Sequence, residues 1–436
     1  MNAQTNTASS KADHLSIWQL FCYGALSLPI AMGGFALVTY IPTFYAVDLG
    51  LGLSLVGLVF VFGRLFDVIT DPLIGYYSDN TITKYGARRP WMIIGVPLFC
   101  LAAWALFVPP DGVTLTYLII ASGAYFLVYT VLDVPYSSVG LEISAHIHER
   151  SVLASTKALF QIAGALAAAF IPLIFLLSTQ DALSLITKNI VIISLISLLL
   201  FLVFVPRKSV SAQPKKPSFK HAFSTAWASR PYRYMITAFL IVQTANALTA
   251  GLTVLFVTNV IKTPQLVGLF LCVLLIASAL FLPLWIWVSK HWSKKRSWAS
   301  AVIICVVALL TVPLLGEGDI IQAVIFSAII GAAFGCDAIM PTSMLADITY
   351  KDEIDGKGRF AGSYLAVKNS VSKLTFIAPM GLAFPILDYV GFSSGSDNTA
   401  ISLGMLLFFY AILPVMLRLA AYTIIQRMPE TERLYS

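Results

Sequence analysis

The sequence predicts an all-α membrane protein with twelve transmembrane helices arranged as two six-helix bundles. Hydrophobic residues make up 58% of the 436 residues and charged residues only 11%, with a mean hydropathy of +0.85. Soluble proteins carry about 25% charged residues, so the composition excludes that class. Apolar stretches of about 20 residues, the length that crosses a hydrocarbon core, recur along the chain. A polar segment near the middle divides them into two equal sets.

The predicted spans follow one another with mostly short connections. In chain order they cover 18–45, 52–77, 91–109, 114–139, 152–177, 185–205, 233–260, 265–289, 298–315, 320–346, 361–387 and 400–425.

Basic residues predict the orientation of these spans. They concentrate after the second, fourth, sixth, eighth and tenth spans, while the alternate connections hold little more than Lys188 and Lys262. Loops rich in Lys and Arg stay in the cytoplasm, so both termini are predicted there, in a multi-pass protein of the plasma (inner) membrane. The segments 1–17 and 426–436 are the predicted cytoplasmic tails, and the first of them lacks a signal peptide. The net charge of +7 then fits a basic face beside anionic lipid, not a nucleic-acid partner.

The domain boundaries follow from the polar segment and from a weak internal repeat. Residues 18–205 form the predicted N-terminal bundle, 206–232 a cytoplasmic linker rich in Pro, Ser and basic residues, and 233–425 the C-terminal bundle. A basic loop that ends in Trp follows both the second and the eighth span, as GARRPW and KKRSW. Paired halves of this kind are typical of secondary transporters, whose binding site lies between them near the bilayer midplane.

Two aspartates in the second span are the strongest functional signal. Asp67 and Asp71 share one helix face with Arg64, because the three positions are i, i+3 and i+7. A charged carboxylate at bilayer depth is costly, by about 2.5–3.5 kcal/mol or more, and is usually functional. Carboxylate oxygens and a threonine hydroxyl fit a Na⁺ site, and two close carboxylates also fit a H⁺ site, since one proton relieves the repulsion between their charges. The alternative is a structural pair between Arg64 and Asp67.

Helix four carries an aromatic stripe that contains one acid. Tyr125, Tyr129, Asp133 and Tyr136 follow spacings of four, four and three residues. Aromatic faces and a carboxylate suit a sugar, whose ring has apolar faces and whose hydroxyls donate hydrogen bonds. The alternative for the tyrosines is packing between helices.

The second half offers fewer polar groups. Asn246 lies in a polar line on helix seven, where hydrogen bonding between helices is the alternative to substrate binding. Asp337, in the middle of helix ten, is predicted to pair with Lys368 or Lys373, either as a structural pair or in a gating or substrate role.

Several motifs resemble one known family over nearly the whole chain. GRLFDVITDPLIGYYSD, GARRPW, YTVLDVPYSSVGLEIS and PTSMLADITYKDEIDGKGRFAGSYLAVKNSVSKL occur in both halves and in order. They resemble the glycoside-pentoside-hexuronide:cation symporters of the major facilitator superfamily. The sodium-dependent lysophosphatidylcholine symporters, a related branch, share the core of the first motif.

The resemblance implies roles for individual residues. It implies that Asp67, Asp71, Thr70 and Thr130 bind the cation and that Asp133 binds sugar. Lys157 replaces the family's usual arginine in helix five, and Lys373 matches its lysine in helix eleven; both are expected near the substrate. Charged residues at the cytoplasmic ends of helices are expected to hold the halves together as gates: Asp79, Arg88, Arg89 and Asp347.

One departure from the family concerns the substrate. Helix one lacks the sugar-binding acid of family members, which disfavours a neutral glycoside. The presumed cavity adds Lys157, Lys368 and Lys373 to Arg64, so an anionic substrate group would find a partner.

These observations predict a monomeric symporter that imports a sugar, glycoside or related small organic solute by alternating access. It needs no cofactor or metal beyond a coupling Na⁺ or H⁺. The alternative substrate is a lysophospholipid-like or anionic amphiphile, and the alternative class is a channel or non-transporting sensor. An enzyme is not expected, because HExxH, GxSxG and Cys/His clusters are absent from the sequence.

Overall fold

The computed structural model describes residues 15–79, 81, 83, 86, 88–143, 147–175, 178–206, 227–354, 361–393 and 398–429. Every regular element within these ranges is a helix. Most of the two predicted tails (1–14 and 430–436), most of the predicted linker (207–226) and the side chain of Asp79 lie outside the description.

Within the described ranges, eleven helices are long and apolar enough to cross a membrane. A bent helix pair supplies a twelfth span when its two segments are counted as one. This confirms the predicted all-α membrane fold. The helices are α1 (Ile17–Thr39), α2 (Leu53–Asp79), α3 (Arg89–Phe107), α4 (Leu115–Glu142), α5 (Ile147–Phe175), α6 (Thr179–Phe204), α7 (Arg230–Phe256), α8 (Pro264–Leu280 and Leu282–Trp292), α9 (Lys294–Thr311), α10 (Ile320–Ile354), α11 (Ala361–Leu374, Pro379–Ala383 and Phe384–Tyr389) and α12 (Ala400–Arg427).

Several helices extend beyond their predicted spans. The α6 helix begins at Thr179, because the Ser178 side chain accepts a hydrogen bond from the Asp181 backbone N–H and so caps the first turn. The α10 helix continues to Ile354 through polar residues. A prediction based on hydropathy detects only the apolar part of a helix, so it misses polar turns at the helix ends.

The bend in α8 lies at Phe281, where its two segments meet at 42°. Pro283 follows in the first turn of the second segment. Proline has no backbone N–H and its ring clashes with the preceding turn, so a kink at this position is expected. The indole of Trp285 then donates to the carbonyl oxygen of Ala332 at 2.7 Å, which fixes the second segment against α10.

The first six helices pack on one another, as do the last six. In the first group α1 contacts α5 and α6, and α4 contacts α2 and α3. In the second group α10 contacts α8 and α9, and α12 contacts α7 and α9. The ends of α6 and α7 that face the linker define one side of the protein, here called the linker side.

Glycines allow the two groups to meet closely on the side away from the linker. A Cβ atom at Gly57 of α2 would lie 2.1 Å from the carbonyl oxygen of Met380 in α11. A Cβ atom at Gly268 of α8 would lie 2.6 Å from the carbonyl oxygen of Ala169 in α5. No side chain fits at either distance. The two halves are therefore in backbone contact on this side.

Candidate cation and solute site

Arg64, Asp67 and Asp71 lie on one face of α2, as their spacing predicts. The Arg64 Nη1 atom is 3.3 Å from Asp67 Oδ2, and the side chain of Asp67 is 4% exposed. The Arg64 guanidinium also lies 5.3 Å from the ring centres of both Phe126 in α4 and Phe376 in α11. A cation between two aromatic rings is held in place.

Thr130 of α4 brings the two aspartates together. Its Oγ1 atom donates to Asp71 Oδ1 at 3.0 Å and lies 3.5 Å from Asp67 Oδ1. Thr130 and Asp67 are both buried. Oxygens from two carboxylates and one hydroxyl thus meet at one point within the protein, as a small hard cation requires of its ligands.

Lys373 supplies the second positive charge at this point. Its Nζ atom donates to Asp71 Oδ2 at 2.5 Å and joins α11 of the second half to α2 of the first. Each aspartate therefore has its own cation: Arg64 for Asp67 and Lys373 for Asp71. The ammonium group of Lys373 is engaged by Asp71 in this structure, and its placement with the substrate stays a prediction.

Thr70 does not join this cluster. Its hydroxyl donates to the Phe66 carbonyl oxygen at 3.1 Å, within its own helix. Threonine in a helix commonly bonds the carbonyl four residues back, and that contact turns Oγ1 away from the carboxylates. Its predicted place among the cation ligands stays a prediction.

Asp133 and Lys157 form a second polar cluster between α4 and α5. Lys157 Nζ lies 3.1 Å from Asp133 Oδ1 and 2.5 Å from the Ser137 hydroxyl oxygen. The Asp133 side chain is 28% exposed and that of Lys157 is 16% exposed. Lys157 also lies 5.0 Å from the ring centre of Tyr136. This pair is accessible, unlike the Arg64–Asp67 pair.

The aromatic stripe on α4 divides into packing and accessible residues. Tyr125 packs against Phe99 and Phe107, and the Tyr136 hydroxyl donates to the Tyr23 carbonyl oxygen at 2.7 Å. Both tyrosines are fully buried in this structure, and their role in substrate binding stays a prediction.

Helix geometry explains the division. At about 100° per residue, Tyr136 lies about 20° around the helix from Tyr125, Tyr129 about 40° and Asp133 about 80°. The stripe therefore winds from the bundle interior toward the accessible face. Tyr129 and Asp133 are half-buried and remain available to a ligand.

Asp337 has a different partner from the one predicted. Its Oδ2 atom is 3.3 Å from Arg418 Nη1 of α12, and its Oδ1 atom accepts from the Trp298 indole of α9 at 3.0 Å. Asn246 donates to Asp337 Oδ2 at 3.3 Å and accepts from Arg418. Lys368 instead lies 4.8 Å from the ring centre of Phe239 in α7.

The Asp337 network is structural in character, because Asp337 and Arg418 are each 1% exposed. The prediction of a pair with Lys368 or Lys373 is wrong, because Asp337 pairs with Arg418 of α12 instead. Arg418 was missed from the sequence. The signal that would have found it is a lone arginine within the apolar twelfth span, where a cation needs a counter-charge.

The predicted gating residues with described side chains join neighbouring helices within one half. Arg88 donates to the Ser78 hydroxyl at 2.6 Å, and Arg89 donates to the carbonyl oxygens of Leu202 at 3.1 Å and Val205 at 2.5 Å. Lys294 of α9 is 2.5 Å from Asp347 of α10. These contacts lie on the linker side.

Comparison with known proteins adds a family and a fold. A family model described as MFS/sugar transport protein matches residues 22–432. The inner membrane symporter YicJ of Escherichia coli strain K12 is 26% identical over 414 residues, which cover 89% of this chain and 86% of YicJ. The human sodium-dependent lysophosphatidylcholine symporter 1 is 25% identical over 389 residues, covering 78% of this chain and 71% of that protein.

Solved structures agree in fold at low sequence identity. The crystal structure of a mutant form of the nucleoside transporter NupG superposes with a TM-score of 0.69 at 13% identity, covering 93% of this chain and 99% of NupG. This likeness shows the fold alone.

Proposed function

The chain belongs to the MFS/sugar transport protein family, as its resemblance to the glycoside-pentoside-hexuronide:cation symporters predicts, and on this premise we propose that it imports a sugar, glycoside or related small organic solute together with Na⁺ or H⁺. It is a multi-pass membrane transporter and not an enzyme. We place it in the plasma (inner) membrane as a monomer with cytoplasmic termini, so that the linker side is the cytoplasmic side.

The observation that carries this proposal is the meeting of Asp67, Asp71 and Thr130. The Thr130 hydroxyl oxygen lies 3.5 Å from Asp67 Oδ1 and 3.0 Å from Asp71 Oδ1. Na⁺ would replace the hydrogen bonds with coordination by the same oxygens. A proton would instead neutralise one carboxylate and release its ammonium or guanidinium partner.

Lys373 provides a physical link between cation binding and movement. Its ammonium occupies Asp71 and joins α11 to α2. A cation that enters at Asp71 competes with this ammonium, so its binding weakens a contact between the bundles 18–205 and 233–425. The bundles, connected by the linker 206–232, can then rock about the central site. Arg88, Arg89, Asp347 and Asp79 are assigned to gating on the linker side.

We place the solute beside the cation, between Asp133, Lys157 and Tyr129 of the first half and the α7 region of Asn246 in the second. Asp133 and Lys157 offer an acceptor and a donor at an accessible position. Helix α1 adds no acid there. Cation and solute that stabilise the same closed state each raise the affinity of the other, which produces coupling.

Replacing Asp133 with alanine is expected to weaken solute binding at least about tenfold, or about 1.4 kcal/mol. The substitution removes the acceptor and leaves Lys157 without its carboxylate partner. Calorimetry with purified protein measures the affinity, and cation binding should change less. Asp388→Ala, at an exposed position of α11, is the control. Unchanged solute affinity in Asp133→Ala would assign the α4 stripe to packing alone.

A lysophospholipid-like amphiphile is the second candidate substrate. Its support is the apolar surface of α1, where a Cβ atom at Gly34 would lie 3.2 Å from the Tyr129 hydroxyl oxygen. Glycine thus adds no polar side chain beside Tyr129. The similarity to a lysophosphatidylcholine symporter points the same way.

The test of the proposed function is uptake into proteoliposomes that contain the purified protein. Radiolabelled sugars, glycosides, sugar acids and lysolipids are offered with an inward Na⁺ gradient, an inward H⁺ gradient, or neither. We expect one of these compounds to accumulate above its external concentration only when a cation gradient is present. Uptake that merely equilibrates under all three conditions would identify a passive pathway.

A further inference from the structure

We propose that Lys368 of α11 binds an anionic oxygen group of the transported solute, which would make that solute a carboxylate, sulfonate or phosphate monoanion. This inference rests on the proposed transport function and names the substrate class of the same central region. In the sequence analysis Lys368 was a candidate partner of Asp337 and one of four cationic groups open to an anionic substrate. The structure distinguishes it from the other three, because each of those pairs with an aspartate.

The first observation is that no carboxylate among the described residues pairs with Lys368. Four buried or half-buried cations within the spans are each paired with one aspartate: Arg64 with Asp67, Lys373 with Asp71, Lys157 with Asp133 and Arg418 with Asp337. Lys368 is half-buried, and among the described residues neither a carboxylate nor a hydrogen-bond acceptor contacts its ammonium group.

The second observation is the position of the ammonium group along the helices. Lys368 Nζ lies 4.8 Å from the ring centre of Phe239, which is buried on α7. Phe239 is nine residues, or about 13 Å, from the start of α7 at Arg230. A lysine that served only to reach water would extend toward the end of its helix. Lys368 instead directs its charge toward the interior of the second half.

The surroundings leave the ammonium group incompletely satisfied. Lysine has three N–H donors, and an aromatic face attracts the charge without accepting those hydrogen bonds in full. Gln243 lies one turn beyond Phe239 on α7 and offers a further polar group to a ligand bound there. An ammonium group that lies against an aromatic ring, with an amide one turn away, suits a ligand that brings an anionic oxygen to it.

The charges around Lys368 indicate how many negative charges the solute carries. Among the described residues, the four ion pairs are neutral and Lys368 adds one excess positive charge. A coupling cation adds another, and two uncompensated positive charges in a poorly solvated site repel each other. A monoanionic solute balances the charge of Lys368 and leaves only the charge of the coupling cation. Its hydrogen bond to Lys368 is charge-assisted and therefore stronger than a bond from a neutral donor.

A sugar acid and a lysophospholipid phosphate share this chemistry, so the experiment has two arms. One compares para-nitrophenyl β-glucuronide with para-nitrophenyl β-glucoside, and the other compares lysophosphatidic acid with the monoacylglycerol of the same chain. Affinities for the purified full chain are measured by calorimetry at fixed pH with Na⁺ present. The variants are Lys368→Met, Lys368→Gln and Lys368→Arg, with Lys188→Met at an exposed position of α6 as the control.

In one of the arms, the wild type is expected to bind the anionic compound at least about tenfold more tightly than its neutral partner. Lys368→Met and Lys368→Gln should abolish this preference, while Lys368→Arg and Lys188→Met should retain it within about threefold. Lys368→Gln serves if Lys368→Met does not fold. The arm in which the preference appears shows whether the anionic group belongs to a sugar acid or to a lysophospholipid.

Equal or tighter binding of the neutral compounds by the wild type overturns the proposal. So does a preference that persists without the Lys368 charge, or failure of both anionic compounds to bind. Different outcomes would reject the proposed transport function. Cation-dependent binding of the neutral glycoside would reject the role of Lys368 and keep the symporter, whereas cation-independent binding of the anion through Lys368 would do the reverse.

Discussion

Asp71→Asn is expected to abolish concentrative uptake while leaving a folded protein that still binds its solute. Asparagine keeps the size of the side chain and an acceptor for Thr130, but it removes the charge that attracts the coupling cation. It also releases Lys373 from its 2.5 Å contact, so the link between α2 and α11 no longer depends on the cation. Uptake against a gradient in proteoliposomes, with solute exchange at equal concentrations as a parallel assay, measures both properties.

The control for Asp71→Asn is Asp111→Asn, at an exposed position between α3 and α4. It should transport as the wild type does. The double variant Asp71→Asn/Lys373→Met removes the unpaired ammonium and should fold at least as well as the single variant, still without concentrative uptake. Uphill transport with normal cation stimulation in Asp71→Asn would show that the cation binds elsewhere.

Asp337→Ala is expected to cause the largest loss of stability, about 3–5 kcal/mol, because it leaves a buried charge without a partner. Arg418 is 1% exposed and cannot recover the lost contact from water. Trp298 loses the acceptor of its indole N–H as well. The melting temperature of the purified protein measures this effect. The exposed Lys262–Glu317 pair offers a control, since Glu317→Ala should cost no more than about 1 kcal/mol.

The double variant Asp337→Leu/Arg418→Met separates a structural role from a functional one. Removing both charges of a buried pair is commonly neutral or stabilising. We therefore expect it to recover most of the stability and also the uptake that Asp337→Ala loses. A stable double variant without uptake would show that the Asp337 network takes part in transport. A melting temperature of Asp337→Ala equal to that of the wild type would contradict the buried pair.

The fold was predictable because the bilayer imposes a length on every span. A helix that crosses the hydrocarbon core needs about 20 apolar residues, and this signal survives without knowledge of packing. The face shared by Arg64, Asp67 and Asp71 was also predictable, because it follows from the local period of one helix. The start of α6 and the end of α10 were not, because polar residues continue those helices beyond the apolar stretch.

Contacts between distant helices were the part that the sequence could not provide. Lys373 reaches Asp71 across 302 residues and Arg418 reaches Asp337 across 81, and both depend on how the helices are arranged. The Thr70 hydroxyl could donate to the Phe66 carbonyl oxygen or to a nearby carboxylate, and the sequence does not determine which. Tyr125 and Tyr136 matched a binding stripe in spacing, yet a rotation of tens of degrees around α4 placed them in the packed interior.

The dependence of solute affinity on cation concentration tests coupling at Asp67, Asp71 and Thr130 most directly. Solute dissociation constants are measured for wild type and Asp71→Asn over a series of Na⁺ concentrations at fixed pH and over a pH series without Na⁺. Reciprocal linkage requires that the coupling cation tighten solute binding by the factor with which solute tightens cation binding. We expect such tightening with one of the two cations in the wild type and none with either in Asp71→Asn. A wild-type solute affinity that is independent of both cations, or an equal dependence in Asp71→Asn, would contradict the account.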